Sequence, residues 1–314
     1  MIEIENVSKT YKEKGKNTGT TVLNKVSLQI QDGEVVALLG HNGSGKSTLI
    51  KCLVGILKPT TGQILIEKKD VFKYRKKLVG KMGVVFNQKP SFIVDLAVYD
   101  NLKYFQAIYN LSNEQLEAQL ALIDSYLEIK GLYQKPYRKL SFGERVKCEI
   151  ASVLLHSPSY IVLDEPTIGL DYNAKRGLYQ LLEHYKSLGS TIVIATHEVE
   201  YIEGICDKAV IMHKGNVSYY GHPHSITQIV NRGIDIKVKF DELIDPVRAE
   251  KYIAQATGYD KEKGELQFSF LSIDQKNEFI KNLVQTISIV SIETCILSIR
   301  EVLEDVLKEI HKNY

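Results

Sequence analysis

The stretch Gly40-His41-Asn42-Gly43-Ser44-Gly45-Lys46-Ser47 matches the pattern G-x-x-x-x-G-K-[ST] at every fixed position. The apolar segment from Glu34 to Leu39 comes before it, which predicts a buried strand. The residues from Thr48 to Val54 follow it and predict a helix. A strand, a glycine-rich loop and a helix in this order predict a phosphate-binding site, whereas a chance glycine-rich turn would need none of these flanks.

The chemistry of this loop follows from its residue types. Gly43 and Gly45 let the backbone approach phosphates, so that successive N–H groups and the helix N-terminus can bind an anion. Lys46 can reach the β- and γ-phosphates, and the Ser47 hydroxyl can ligate Mg²⁺. The loop alone predicts binding of a nucleoside triphosphate and does not separate kinases, GTPases, motors and transport ATPases.

The composition limits the remaining possibilities. A chain of 314 residues predicts two domains, or one large domain with an appendage. A net charge of +2 is too small for an electrostatic case for nucleic acid, so no nucleic-acid partner is expected. The sequence has no apolar run near the ~20 residues of a membrane span, and its charged, alternating start predicts no signal peptide. Four scattered cysteines predict reduced, buried thiols, namely Cys52, Cys148, Cys206 and Cys295.

A second motif lies at the end of another predicted strand. Tyr160 to Leu163 is a continuous apolar run, and Asp164-Glu165-Pro166-Thr167 follows it. Adjacent carboxylates beside a buried strand are costly unless they hold a metal or a proton, although a plain turn is the alternative. In a triphosphate site Asp164 suits Mg²⁺, and Glu165 suits activation of the attacking water. His197 follows the predicted strand Thr191–Ala195 and is expected at the same edge of the sheet.

Hydrophobic periodicity predicts the other elements of this part of the chain. A polar turn is expected from Lys12 to Thr20, and the lysine-rich stretch from Lys68 to Lys81 is expected to be a solvated face. A helical insertion is expected between Leu96 and Leu132. The remaining predictions are strands at 2–7, 22–30, 63–66 and 82–86, and a helix from Val146 to Leu155.

Taken in order over about residues 2 to 226, these motifs resemble the nucleotide-binding subunits of ABC transporters. The resemblance implies an α/β fold: a P-loop ABC ATPase core with a mixed sheet over residues 1–227, including a helical subdomain at about 90–158. It implies ATP and Mg²⁺ as cofactors. Gly40 to Ser47 would be the Walker A motif and Ile161 to Asp164 the Walker B motif, with Glu165 as the catalytic carboxylate.

The resemblance also implies roles for single residues. Gln88 matches the Q-loop glutamine, which binds nucleotide and metal, and Asp171 lies in the D-loop. His197 matches the switch histidine, and Tyr11 lies where the family stacks an aromatic ring on adenine. The implied catalytic residues are Lys46, Glu165 and His197, and the implied metal ligands are Ser47, Gln88 and Asp164. The implied nucleotide contacts are Tyr11, Gly40, His41, Asn42, Gly43, Ser44, Gly45, Lys46, Ser47, Thr48, Gln88, Ser141, Gly143 and Asp171.

The segment Leu140-Ser141-Phe142-Gly143-Glu144 lies at the family's signature, usually L-S-G-G-Q. Ser141 and Gly143 match, and in the family they face the γ-phosphate across a dimer. Phe142 replaces a glycine, and Glu144 replaces the glutamine and brings a negative charge towards an anionic ligand. The resemblance therefore implies a head-to-tail pair with a second copy or a homologous ATPase subunit, which closes on ATP.

Residues 228–314 predict a small α+β appendage. Its predicted strands are 234–240, 265–270 and 287–299, and its predicted helices are 246–257, 274–284 and 302–310. Similar tails occur on ATPase subunits of ABC-2-type exporters. The implied function is to energise an exporter through separate transmembrane permease subunits at the cytoplasmic face of the cell membrane. Two alternatives stay open: a soluble ABC ATPase acting on a protein or nucleic-acid assembly, and a catalytically silent scaffold.

Overall fold

The computed structural model describes residues 1–12, 19–86, 90–196, 202–223, 225, 234–240, 252–260, 265–270, 273–286 and 289–295. The chain divides into two compact units, Met1–His222 and Pro223–Tyr314. Gln88, His197, the predicted helix at 302–310 and the first half of that at 246–257 lie outside the described residues. Within the described ranges, no helix has the length and apolarity needed to cross a membrane.

The first unit combines two sheets with surrounding helices. Its strands are β1 (Ile2–Lys12), β2 (Gly19–Ile30), β3 (Val35–Leu39), β4 (Thr61–Ile66), β5 (Lys69–Asp70), β6 (Met82–Phe86), β7 (Tyr160–Asp164), β8 (Thr191–Ala195), β9 (Lys208–His213) and β10 (Asn216–Gly221). Its helices are α1 (Lys46–Leu53), α2 (Val71–Leu78), α3 (Val98–Tyr109), α4 (Asn113–Leu127), α5 (Phe142–Leu154), α6 (Tyr172–Ser187) and α7 (Ile202–Ile205). Short 3₁₀ helices lie at Val79–Lys81, Lys130–Leu132 and Tyr137–Lys139. The α/β fold class is therefore confirmed.

The six-stranded sheet has the order β10-β9-β3-β8-β7-β6, and all of its neighbouring strands are parallel except the pair β9–β10. Every residue of β3, β7 and β8 is buried, as expected for continuous apolar runs in a parallel sheet. In the register, Asp164 pairs with Phe86 on one side and with Ala195 on the other. The carboxyl ends of these strands therefore meet at one edge, where open α/β sheets bind ligands.

The four-stranded sheet has the order β2-β1-β4-β5 and is antiparallel. Its alternating apolar residues confirm the strands predicted at 2–7, 22–30 and 63–66. The predicted turn from Lys12 to Thr20 is wrong at both ends, because Tyr11 pairs with Thr20 and Lys12 with Gly19. Polar side chains do not end a strand when its backbone still has a partner.

Capping residues define the start of two helices. The fifth helix, α5, begins at Phe142 instead of Val146, because the Ser141 hydroxyl caps its first turn. The lysine-rich stretch contains the helix α2, whose first turn is capped by Asp70 through a 2.8 Å hydrogen bond from the backbone N–H of Lys73. In α5, capping starts the helix earlier than apolar periodicity alone indicates. The lysines between Lys68 and Lys81 are exposed, which confirms the predicted solvated face.

The second unit contains one antiparallel sheet with the order β12-β13-β11-β14. Its elements are β11 (Ile234–Phe240), β12 (Gly258–Asp260), β13 (Glu265–Phe270), α8 (Ile273–Thr286) and β14 (Ile289–Cys295). They confirm the predicted strands and the helix at 274–284, whereas β12 was not predicted. The helix α8 connects two strands that flank a third, β11, which is the split βαβ plan. The core of this unit contains Ile236, Val238, Leu266, Phe268 and Leu283.

Buried thiols and a partly buried histidine, His156, lie in the first unit. Cys52, Cys148 and Cys206 are buried and free, which confirms the prediction for these three cysteines. The ring of His156 stacks on Tyr109, with 3.8 Å between the ring centres. Burial lowers the pKa of His156 to about 4. Since the charged imidazole is poorly solvated there, protonation of His156 opposes folding.

We expect this histidine to make the protein sensitive to acid. The pKa of His156 is lower in the folded chain than the ordinary value of 6.5, so the unfolded state binds the proton first as the pH falls. The contribution of His156 to the free energy of unfolding is therefore fully present above about pH 6.5 and is lost progressively as the pH falls towards about 4. The variant His156→Phe keeps a stacking ring and should show a smaller drop in melting temperature between pH 7.5 and 5 than the wild type. An equal drop in both proteins would contradict this assignment.

Candidate active site

The loop between β3 and α1 depends on two glycines. Gly40 has φ +147° and Gly45 has φ +111°, a region that side-chain-bearing residues rarely adopt. A Cβ on Gly40 would lie 2.4 Å from the carbonyl oxygen of Met212, and one on Gly45 would lie 2.9 Å from that of Val22. The predicted strand, loop and helix are therefore confirmed, and neighbouring strands close tightly around the loop.

A turn far away in the sequence supports the same loop. The backbone N–H of Gly215, between β9 and β10, donates to the carbonyl oxygen of Ser44 at 2.9 Å. The backbone N–H of Ser44 in turn donates to the carbonyl oxygen of His41 at 3.1 Å. Gly215 was not predicted as a part of the site, because the local sequence of a turn does not indicate which distant loop the turn contacts.

Lys46 connects the two motifs that the sequence predicted separately. Its side chain is almost fully buried, and its ammonium donates to the carbonyl oxygens of Gly40 at 2.6 Å and His41 at 3.3 Å. The same ammonium lies 3.9 Å from Oε1 of Glu165. Burial lowers the pKa of Lys46, and the charges of Glu165 and Asp164 partly oppose that shift. A cation is thus held inside the site with carboxylates as its counter-charges.

Asp164, at the end of β7, has the surroundings of a metal ligand. Its side chain is only 7% exposed, and its Oδ1 is buried with no hydrogen-bond partner. An orphaned carboxylate oxygen costs free energy unless a cation or a donor satisfies it. Ser47 lines the same cleft as Asp164, and Mg²⁺ prefers hydroxyl and carboxylate oxygens as ligands. The residues present therefore fit a magnesium ion.

Glu165 has an unusual backbone conformation. Its φ is +53°, which is uncommon for a residue with a side chain and requires support from its surroundings. Its backbone N–H donates to the carbonyl oxygen of Ala195 at 2.8 Å. This bond continues the pairing of β7 with β8 by one residue and fixes the point where the chain turns. The carboxylate is thereby placed beside Lys46.

A cleft of about 710 Å³ unites these groups. The predicted site residues that line it are His41, Asn42, Gly43, Ser44, Gly45, Lys46, Ser47, Thr48, Asp164 and Glu165. Gly40 contributes the carbonyl that accepts from Lys46. Further lining residues that the sequence did not predict are Val22, Lys51, Ile56, Phe86 and Ile168. They come from other elements, and no local motif marks them.

Other predicted residues do not line this cleft. Tyr11 is 43% exposed, with the Lys9 ammonium 5.5 Å from its ring centre. Asp171 caps α6 by accepting from the backbone N–H of Ala174 at 2.8 Å. Ser141 and Gly143 form the start of α5. The nucleotide roles of these residues stay predictions, as do those of Gln88 and His197, which lie outside the described residues.

Glu144 directs its charge towards its own helix. Its Oε2 accepts from the backbone N–H of Ser141 at 2.8 Å, and the Ser141 hydroxyl accepts from the backbone N–H of Glu144 at 3.2 Å. The Lys135 ammonium lies 3.0 Å from Oε1 of Glu144. The hydrogen bond from Ser141, followed by that from Lys135, lowers the pKa of Glu144. The negative charge in the signature segment is therefore partly neutralised by the chain itself.

The parallel sheet and this cleft together define a P-loop nucleoside triphosphatase, in which a strand, a glycine-rich loop and a helix hold the lysine beside two carboxylates.

Comparisons with known proteins identify the family. The profile of the ABC transporter family matches residues 23–168. The chain is 40% identical over 217 residues to a candidate ABC transporter ATP-binding protein of Archaeoglobus fulgidus, a match covering 68% of this chain and 86% of the relative. The ATP-binding cassette MJ0796, solved as a dimer bound to ADP and Pi, is 26% identical with a TM-score of 0.64 and coverages of 71% and 98%. CbiO1 of Clostridium perfringens, part of the ABC transporter complex cbiONQ, is 33% identical with a TM-score of 0.61 and coverages of 73% and 94%. The chain belongs to the ATP-binding proteins of ABC transporters and is an ATPase of that family.

The capping arrangement at the signature segment predicts the effect of two substitutions. Glu144→Gln should leave the melting temperature nearly unchanged, since glutamine also accepts from the capping residue's N–H. Glu144→Ala removes this bond and the ion pair with Lys135, and should lower the melting temperature by about 2–4 °C. The control is Glu183→Ala, at an exposed position of α6, which should have little effect in the same thermal scan. Equal destabilisation by Glu144→Gln and Glu144→Ala would show that charge, and not capping, is what matters.

Proposed function

We propose that this chain binds and hydrolyses ATP to energise a membrane ABC transporter, as one of two ATPase subunits that close on ATP and open after hydrolysis. One observation carries the proposal. The buried Lys46 ammonium lies 3.9 Å from Glu165, next to an Asp164 oxygen that is buried without a hydrogen-bond partner. This arrangement holds the groups that phosphate binding, metal binding and activation of water each require.

The phosphates would bind to backbone N–H groups between Asn42 and Thr48 and to the start of α1, whose dipole favours an anion. Lys46 would exchange its bonds to two backbone carbonyls for contacts with the β- and γ-phosphates. Ser47, Asp164 and Gln88 would hold Mg²⁺. The bound ion supplies neutralisation of the charge that develops on the phosphate oxygens.

Glu165 would orient and deprotonate the attacking water. Its position beside a buried cation, with its backbone fixed by Ala195, suits a carboxylate that must stay in place during the reaction. His197 would contact the γ-phosphate from the end of β8. Positioning and charge neutralisation would account for most of the catalysis, because phosphoryl transfer needs little covalent chemistry from the protein.

The pairing of two subunits would complete each ATP site. The related cassette MJ0796 is dimeric with ADP and Pi bound. In a similar pair, Ser141 and Gly143 of a second copy, or of a homologous subunit, would face the phosphates held by this chain. ATP would hold the subunits together, and hydrolysis would release them.

Membrane permease subunits would be the other partners, since CbiO1 is part of the transporter complex cbiONQ. The chain would then act at the cytoplasmic face of the cell membrane. Export is the direction we propose, on the basis of the segment Thr167–Asp171 and the α+β unit that follows the ATPase core. Co-purification with a polytopic membrane protein tests the partner. ATP-driven uptake of a solute into inverted vesicles that contain the complex tests the direction of transport. Isolation without a membrane partner would favour the soluble ATPase.

The proposed role of Glu165 predicts that its substitution abolishes ATP hydrolysis and leaves ATP binding intact. Glu165→Gln keeps the size of the side chain and removes the base, so the hydrolysis rate should fall by about 100-fold or more. ATP binding, measured by equilibrium dialysis, should remain. ATP with Mg²⁺ should also convert this variant to a dimer on size exclusion, because closure is no longer reversed by hydrolysis.

The matched control is Glu183→Gln, which makes the same change at an exposed position of α6. This variant should hydrolyse ATP like the wild type. Wild-type turnover by Glu165→Gln would remove Glu165 from the mechanism.

A further inference from the structure

The first turn of α5 packs directly on Gly169, four residues after Glu165. Gly169 has φ +83°, and a Cβ built on it would lie 2.1 Å from Cδ1 and 2.4 Å from Cε1 of Phe142. A Cβ built on Gly143 would lie 2.5 Å from the carbonyl oxygen of Gly169. The edge of the Phe142 ring therefore rests on the bare Cα of Gly169, and neither glycine has room for a side chain.

Phe142 is not an ordinary core residue. Its side chain is 51% exposed, so burial alone gives little reason for a large ring at this position. The covered part of the ring lines a cavity of about 200 Å³ together with Asp164, Glu165 and Pro166. The ring thus lies between the start of a helix and the chain segment that carries the proposed base.

Two successive turns connect Gly169 to Glu165. The backbone N–H of Ile168 donates to the carbonyl oxygen of Glu165 at 3.4 Å, and that of Leu170 donates to the carbonyl oxygen of Thr167 at 3.1 Å. Glu165 itself has φ +53°, a conformation that persists only when its surroundings hold it. A displacement at Gly169 would therefore reach Glu165 through a short, hydrogen-bonded stretch of backbone.

We propose that Phe142 is a positioning residue for ATP hydrolysis. Its ring holds the turn at Gly169 and thereby keeps the Glu165 carboxylate beside Lys46. The inference rests on the proposed role of Glu165. The contact belongs to this chain in particular, because the family motif has a glycine at this position and a glycine offers no ring to hold Gly169.

The test compares kcat and KM for ATP in the purified full-length chain. Phe142→Ala should lower kcat about fivefold or more, since small displacements of a reacting group are costly. The KM should stay within about twofold, because the phosphate-binding loop is untouched. Phe142→Tyr keeps the ring and should retain kcat within about twofold of the wild type. The control Tyr74→Ala removes a ring that is 44% exposed on α2 and should leave both constants unchanged.

A mutant cycle tests the contact itself. Gly169→Ala should lower kcat in the wild type, where the added methyl meets the ring, and should lower it less in the Phe142→Ala background, where the ring is gone. If the effects of Gly169→Ala and Phe142→Ala on kcat were additive, the contact between the two residues would be overturned. A kcat of Phe142→Ala within twofold of the wild type, or a loss confined to KM, would overturn the positioning role.

The same preparations separate the two proposals. An inactive Glu165→Gln variant together with a fully active Phe142→Ala variant would overturn only the role of Phe142. A fully active Glu165→Gln variant would overturn the role of Glu165 and the role of Phe142 with it.

Discussion

The site depends on one buried cation. Lys46 has lost most of its water, and its ammonium is satisfied by two backbone carbonyls of its own loop and by the nearby carboxylate of Glu165. A buried ammonium in such surroundings is costly unless oxygen atoms at these positions remain available to it. The loop, the end of β7 and the strands around them are thus held to a single geometry. An incoming phosphate would replace the carbonyls with a stronger counter-charge at the same position.

Much of this geometry could be predicted from local sequence. The pattern from Gly40 to Ser47 encodes its own conformation, because its glycines supply dihedral angles that other residues avoid. The apolar run before Asp164 likewise encodes a strand buried on both faces. The parallel order of the strands then brings both motifs to one edge of the sheet. The strongest sequence signals were those whose physical cause lies within a few residues.

The sequence failed where the cause is a contact between distant residues. No local pattern could assign Val22, Ile56 or Ile168 to the cleft, since strand pairing and helix packing bring them there. Apolar periodicity alone placed the start of α5 at Val146, whereas capping by Ser141 starts the helix at Phe142. The sequence likewise did not indicate that the Ser141 N–H and the Lys135 ammonium contact the oxygen atoms of Glu144. Periodicity describes burial, and it does not describe which hydrogen bonds a polar residue makes.

The bond from Gly215 to Ser44 has a consequence for the order of folding during synthesis. The phosphate-binding loop is made early in translation, whereas the turn that supports it belongs to the last pair of strands in the first unit. A nascent chain that ends before Gly215 has β3 and α1 but lacks the N–H group that donates to the Ser44 carbonyl. Because chains emerge from the ribosome N-terminal end first, high affinity for nucleotide would arise only when the first unit is almost complete. Ribosome-bound fragments of increasing length would show it as a late, abrupt gain in binding.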